Sequence, residues 1–170
     1  LMNHVCAHSA NKIARNASQS TASMVASLKN DECTYWATGT SAPCTSVFKP
    51  IRFNSDVLPN LGSKPTEKYS PNSLWWEHEK LHRNILLDFQ KRHKLFNDQR
   101  NELETELYNE SIKTLSADFF SLTKSAFEKS KQLEHFVLNE IINLPINKKP
   151  KSNYRRYWKA QNEKAELLVN

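Results

Sequence analysis

Ser20-Thr21-Ala22-Ser23-Met24-Val25-Ala26-Ser27-Leu28, followed beyond a turn by Thr34-Tyr35-Trp36-Ala37-Thr38, is the pair of runs that decides the fold. In the first run Met24, Ala26 and Leu28 fall on one side and Ser23, Val25 and Ser27 on the other. That two-residue period belongs to a strand. The second run is rich in β-formers, and Lys29-Asn30-Asp31-Glu32 between them has turn chemistry, so the two predict a hairpin. Gly39 relaxes the backbone where the second strand ends. Hydroxyl residues interleaved with apolar ones predict strands with one face in a core and the other on a polar site.

Working outward, residues 4–9 read as a short strand and residues 11–18 as an exposed polar connection holding Arg15 and Asn16. Residues 46–53 predict a further strand. Pro50 cannot donate to a ladder, so it must lie at an edge or end the pairing. Residues 54–69, with Pro59, Gly62 and Pro65, form a loop into a helical region. Ser70-Pro71 suits a helix start, with the hydroxyl as cap. Leu74, His78, Leu81, Ile85 and Phe89 share one stripe, with Trp75, His82 and Leu86 beside it. This helix is expected to reach about Tyr108, with Phe96-Asn97-Asp98 as a potential break. A second begins near Asn109, buries Ile112, Leu115, Phe119, Leu122, Phe127, Phe136, Val137 and Ile141, and ends before Pro145. The two predict a long antiparallel hairpin. Residues 148–152 are a basic linker, and residues 154–169 an amphipathic helix with Tyr157, Trp158 and Leu168. The expected class is α+β, divided into a strand-rich part (1–69), a helical hairpin (70–145) and a basic linker with a terminal helix (146–170).

Composition narrows the function classes. At 170 residues, with 38% hydrophobic and 25% charged, the chain is globular in character and long enough for a real core. Two glycines in the whole chain are few for a fold of tight hairpins, which favours long helices. Most of the net charge of +6 sits in the tail: residues 146–170 carry seven Lys or Arg against two Glu, a net +5. A solvated terminus explains that concentration, and nucleic-acid binding is not read from it. Cys6, Cys33 and Cys44 are an odd number without metal-like spacing, consistent with reduced thiols in a cytoplasmic protein. Cys44, beside Pro43, reads as structural or exposed, because nothing near it in sequence would lower its pKa. No apolar run approaches the roughly 20 residues that span a bilayer, and the start, Leu1-Met2-Asn3-His4, has neither region of a secretory signal.

Several phrases, in order, resemble the C-terminal half of the secernins and related cysteine dipeptidases. They are Val5-Cys6-Ala7-His8, Ser18-Gln19-Ser20-Thr21-Ala22-Ser23-Met24-Val25, Thr38-Gly39-Thr40-Ser41-Ala42-Pro43-Cys44, Ser46-Val47-Phe48-Lys49-Pro50 and Leu74-Trp75-Trp76-Glu77-His78-Glu79. The likeness covers residues 4 to about 90 and is thin beyond. It implies part of a layered αββα N-terminal-nucleophile hydrolase sandwich of antiparallel strands, in which a cysteine at the mature N-terminus attacks an amide. The first residue here is Leu1, and Cys6 lies within an expected strand, so no catalytic residue is expected in this chain. The implied whole is a cysteine dipeptidase or amidohydrolase of which this is a C-terminal piece, inactive alone. Its expected partners are the missing N-terminal half and a dipeptide or small amide, and no cofactor is called for.

The resemblance also points to substrate-binding residues: His8, Ser18, Gln19, Thr21 and Ser23, whose polar groups could hold an amine, a carboxylate or a developing oxyanion. Such hydroxyls equally satisfy backbone at strand ends. Lys49 and Arg52, between Phe48 and Phe53, are candidates to clamp a carboxylate or to face solvent. A second reading is a non-catalytic, secernin-like binding protein connected with exocytosis. A third is a zinc protease through His78-Glu79-Lys80-Leu81-His82, which has the right spacing. Glu77, Lys80 and Arg83 crowd that pattern, and hydrogen-bonded packing on the apolar stripe accounts for both histidines, so no metal is expected. Trp75 and Trp76 must point to different faces; the one outside the main core suits a pairing interface, in a homo-oligomer for example.

Overall fold

The computed structural model describes His8 and residues 19–29, 33–53 and 57–170. Among them, β1 (Met24–Ser27), β2 (Thr34–Ala37) and β3 (Lys49–Ile51) form an antiparallel sheet in that order. The helices are α1 (Leu74–Ile85), α2 (Phe89–Ser111), α3 (Phe119–Ile142) and α4 (Ser152–Ala165). The class is α+β. The expected strand at residues 4–9, apart from His8, the connection at 11–18 and turn residues 30–32 lie outside the described residues.

The predicted hairpin forms, with Met24 opposite Ala37 and Ser27 opposite Thr34. Thr38 extends it by donating its N–H to the Ser23 carbonyl and accepting the Ser23 N–H on its hydroxyl, both at 3.0 Å. Gly39 follows at φ +65°, where a side chain would be strained. Pro50 sits opposite Trp36 at the β3 edge of the described sheet, and its carbonyl accepts the Thr123 hydroxyl of α3 at 2.9 Å. A helix therefore covers this edge, where proline's missing donor costs nothing.

The first strand departs from expectation: it is shorter, and all four of its residues are exposed, Met24 by 62% and Val25 by 56%. The helices pack on β3 and, through Tyr108 at 6.1 Å, on the ring of Trp36 in β2. Alternation in sequence reports a two-sided ribbon and leaves open which side another element will cover.

Helix α1 begins at Leu74, later than Ser70-Pro71 suggests. Backbone pairing between Gly62 and Ser73 holds the chain extended up to that point. Gly62 is indispensable there, with φ +78° and a hypothetical Cβ only 1.8 Å from the Asn72 carbonyl oxygen. The break in the long helix falls at Asp88 and not at residues 96–98, with Phe96 fully buried inside α2. The Asp88 Oδ2 accepts the N–H groups of Asn147 at 2.9 Å and Lys148 at 3.0 Å. These donors, that of Lys148 foremost, hold its carboxyl below the usual range. Arg92, also buried, donates to the carbonyls of Asn84, Leu144 and Asn170. The corner is a tertiary knot, invisible to helical periodicity.

Helices α2 and α3 make the expected antiparallel hairpin: Lys91 reaches the Pro145 carbonyl, and farther along Lys129 pairs with Glu106 and Glu110. Phe119, Leu122, Phe127, Val137 and Ile141 are buried as anticipated. Ile112, Leu115 and Phe136 are not, at 60%, 72% and 54% exposure. Helix α2 runs on to Ser111 and α3 begins only at Phe119, so Ile112 and Leu115 fall in the reversing turn. Trp76 is buried and Trp75 half-buried, at 4.9 Å edge to face. Helix α4 ends at Ala165, where Glu166 turns left-handed at φ +55°. The turn resets the pattern, so Leu167 is buried against Trp76 and Leu168 is 83% exposed. No helix among the described residues is long and apolar enough to cross a membrane.

The two readings of the hairpin separate by mutation. Leu107→Ala should cost about 2–5 kcal/mol of stability, as for other fully buried leucines, and Ile112→Ala no more than about 0.5 kcal/mol. Urea unfolding of both variants is the check; an equal loss at Ile112 would put the turn back into the core.

Candidate functional site

The loop between β2 and β3 buries Thr40, Ser41, Thr45 and Ser46 almost completely. Its reversal is built from its own side chains. Ala42 adopts φ +44°, and Pro43 to Thr45 form a single 3-10 turn. Thr45 donates to the Ala42 carbonyl from both its N–H, at 2.8 Å, and its hydroxyl, at 3.0 Å. The hydroxyls of Thr40 and Ser46 meet at 2.6 Å. Thr40, Thr45 and Ser46 thus serve the backbone and one another, as buried hydroxyls must.

On its inner side the loop rests on α1. Ser41 donates its hydroxyl to Glu79, which is 1% exposed. The same carboxylate accepts Arg83 Nε at 2.7 Å and lies 3.2 Å from His82 Nδ1. Burial alone would push this carboxyl up, but the charge and hydrogen bond of His82, the Arg83 guanidinium and the Ser41 hydroxyl outweigh it and hold it at about 2. Arg83 continues to Asn162 of α4 at 3.0 Å, and its guanidinium lies between the rings of Trp76 and Trp158. One turn back, His78 Nε2 lies 3.4 Å from the Thr45 hydroxyl, and Nδ1 lies 2.9 Å from Glu134 of α3.

Lys49, at the start of β3, neither clamps a ligand at the surface nor faces solvent. It is 1% exposed, donates Nζ to the Val47 carbonyl at 2.7 Å and stands over the Phe127 ring. Burial lowers its ammonium to about 8, against the raising influence of Glu134 and Glu104. Arg52 bonds to the hydroxyls of Thr34 and Ser116 and covers the Phe119 ring.

The outer side of the same loop carries Cys44, half-buried, whose Sγ lies 3.6 Å from His8 Nε2. The Cys44 carbonyl accepts from Arg100 Nη1 and from His93, both on α2. The fold brings His8 beside Cys44 from 36 residues away, a neighbour the local sequence does not show.

The anticipated substrate-binding residues thus fall in different places. His8 is at Cys44. Gln19 has a buried Oε1 without a hydrogen-bond partner among the described residues, and its neighbour Ser20 accepts the Ala42 N–H at 3.0 Å. Thr21 is exposed, Ser23 is engaged through its backbone with Thr38, and Ser18 lies outside the described residues. The zinc-protease spacing is absorbed into hydrogen bonding, since Glu79 is held by Ser41, His82 and Arg83 and His78 turns to Glu134. No group of three or more potential metal ligands occurs among the described residues. Glu134 was missed, although a carboxylate on the apolar stripe of Phe127, Val137 and Ile141 is a signal that sequence offers.

Two outcomes follow. Glu79→Ala strands Arg83 in the interior and should cost about 3–5 kcal/mol at neutral pH. Because the folded carboxyl is depressed, the wild-type advantage is full above 4.5 and shrinks as pH falls toward about 2, which chemical unfolding across that range measures. For Lys49 the depressed ammonium weakens the fold below about 8 and the penalty lifts as pH rises toward 10.5. The stability of wild type relative to Lys49→Met should therefore climb over that interval in urea titrations; a flat difference would show Lys49 ionising as it does in the unfolded chain.

Comparison with protein-family models, with curated proteins and with solved structures gives no match to this chain.

Proposed function

We propose that this chain is the C-terminal portion of a secernin-like, N-terminal-nucleophile cysteine dipeptidase or amidohydrolase. The observation that supports the reading is that phrases far apart in sequence, each resembling that family, pack on one another. His8 meets Cys44, Ser20 meets Ala42 and Ser41 meets Glu79.

In this reading the attacking thiolate belongs to a cysteine at the mature N-terminus, activated by its own amine, which forms an acyl-enzyme that water then hydrolyses. This chain supplies strands of the layered sandwich and part of the pocket wall. His8 and Gln19 are its contribution to substrate, and the family likeness adds Ser18, Thr21 and Ser23. The partners are a dipeptide or small amide and the N-terminal half of the same protein, in the cytoplasm.

The experiment has two arms. The chain alone, given a panel of dipeptides with detection of the released amine, is expected to show no turnover. The product isolated from its native source is expected to begin with cysteine and to hydrolyse dipeptides in a thiol-sensitive manner. Turnover by the chain alone, or a native product with another N-terminal residue and no dipeptidase activity, overturns the reading.

A further inference from the structure

We propose that Cys44 and His8 form a thiolate–imidazolium pair that exchanges with small disulfides at the protein surface. The proposal stands apart from the hydrolase reading, in which the nucleophile is a different cysteine.

Three observations carry it. The imidazole Nε2 is 3.6 Å from Sγ, within reach to take the thiol proton. Cys44 is half-buried, open to a small reagent yet held in place by its turn. Among the described residues, His93 and Arg100 of α2 reach its carbonyl, and Tyr154 of α4 lies near it. The Tyr154 hydroxyl is raised chiefly by burial, with the charge at Cys44 a smaller cause, which places the ring within electrostatic range of the sulfur. Cys33 offers the comparison within the same chain, its thiol donating to the Lys29 carbonyl at 3.7 Å.

The exchange balances without a further reactant. Cys44 gives its proton to His8, and the thiolate attacks one sulfur of a disulfide R–S–S–R. A Cys44–S–S–R bond forms as the original S–S bond breaks. The departing thiolate takes the proton from His8, so Cys44 is oxidised to a mixed disulfide and one half of the reagent is reduced to a thiol.

Glutathione disulfide is the probe, applied to the whole chain, with modification at Cys44 and Cys33 resolved by mass spectrometry of peptides. At pH 6.5, well under the ordinary thiol value of about 8.5, Cys44 should react about tenfold faster than Cys33. His8→Gln should slow Cys44 about tenfold at that pH and leave it within about twofold at pH 9.5, where a thiol ionises unaided. Three results overturn the proposal: Cys44 no faster than Cys33 at pH 6.5, no effect of His8→Gln there, or an equal loss at both pH values. The wild-type comparison decides even if the variant folds poorly.

Discussion

The Glu79 carboxylate ties the loop between β2 and β3 to the helices. It is buried, and it accepts from Ser41 in the sheet-side loop and from His82 and Arg83 on its own helix. Through Arg83 the connection runs to Asn162 of the terminal helix. An ionised group in such surroundings is tolerated only when its lone pairs are filled and its charge is met, because desolvation otherwise drives it neutral. Loop and α1 therefore arrive together around these oxygen atoms, and α4 joins them through Arg83.

This accounts for a helix that is buried nearly all round although its sequence is not apolar all round. From Trp76 to Leu86 only Glu77 and Lys80 are more than slightly accessible. The apolar stripe of Leu81 and Ile85 faces α2 and α3 in the main core. The opposite face, which would ordinarily be solvated, is covered by α4 and by the chain end, whose Asn170 N–H returns to the Asn84 side chain at 3.1 Å. Charged residues remain acceptable there because each meets a partner of opposite sign or an aromatic face.

The loop between β2 and β3 has two working sides for the same reason. Its inner hydroxyls are committed to α1 and to the loop's own backbone, which makes it rigid. Its outer side can then present the Cys44 thiol to His8 in a fixed relation, on a turn whose left-handed Ala42 is held in place by the packing around it. A loop free to move would hold neither the reversal nor the pairing.

How much of this was legible beforehand follows from the range of each interaction. Period-two alternation marked the hairpin, and the stripe through Phe119, Leu122, Phe127, Val137 and Ile141 marked α3, because both patterns are local consequences of backbone geometry. The exposure of β1, the corner at Asp88, the turn that strands Ile112 and Leu115, and the burial of Lys49 were not legible. Each depends on which distant segment lies against the residue: Asn147 and Lys148 on Asp88, Phe127 on Lys49. The amino-acid sequence by itself determined the α+β class, the hairpin and the antiparallel helices. Only the tertiary structure decided that His8 stands beside Cys44 and that Glu79 is a buried hub, since hydrogen bonds and ion pairs across tens of residues leave no period in the chain.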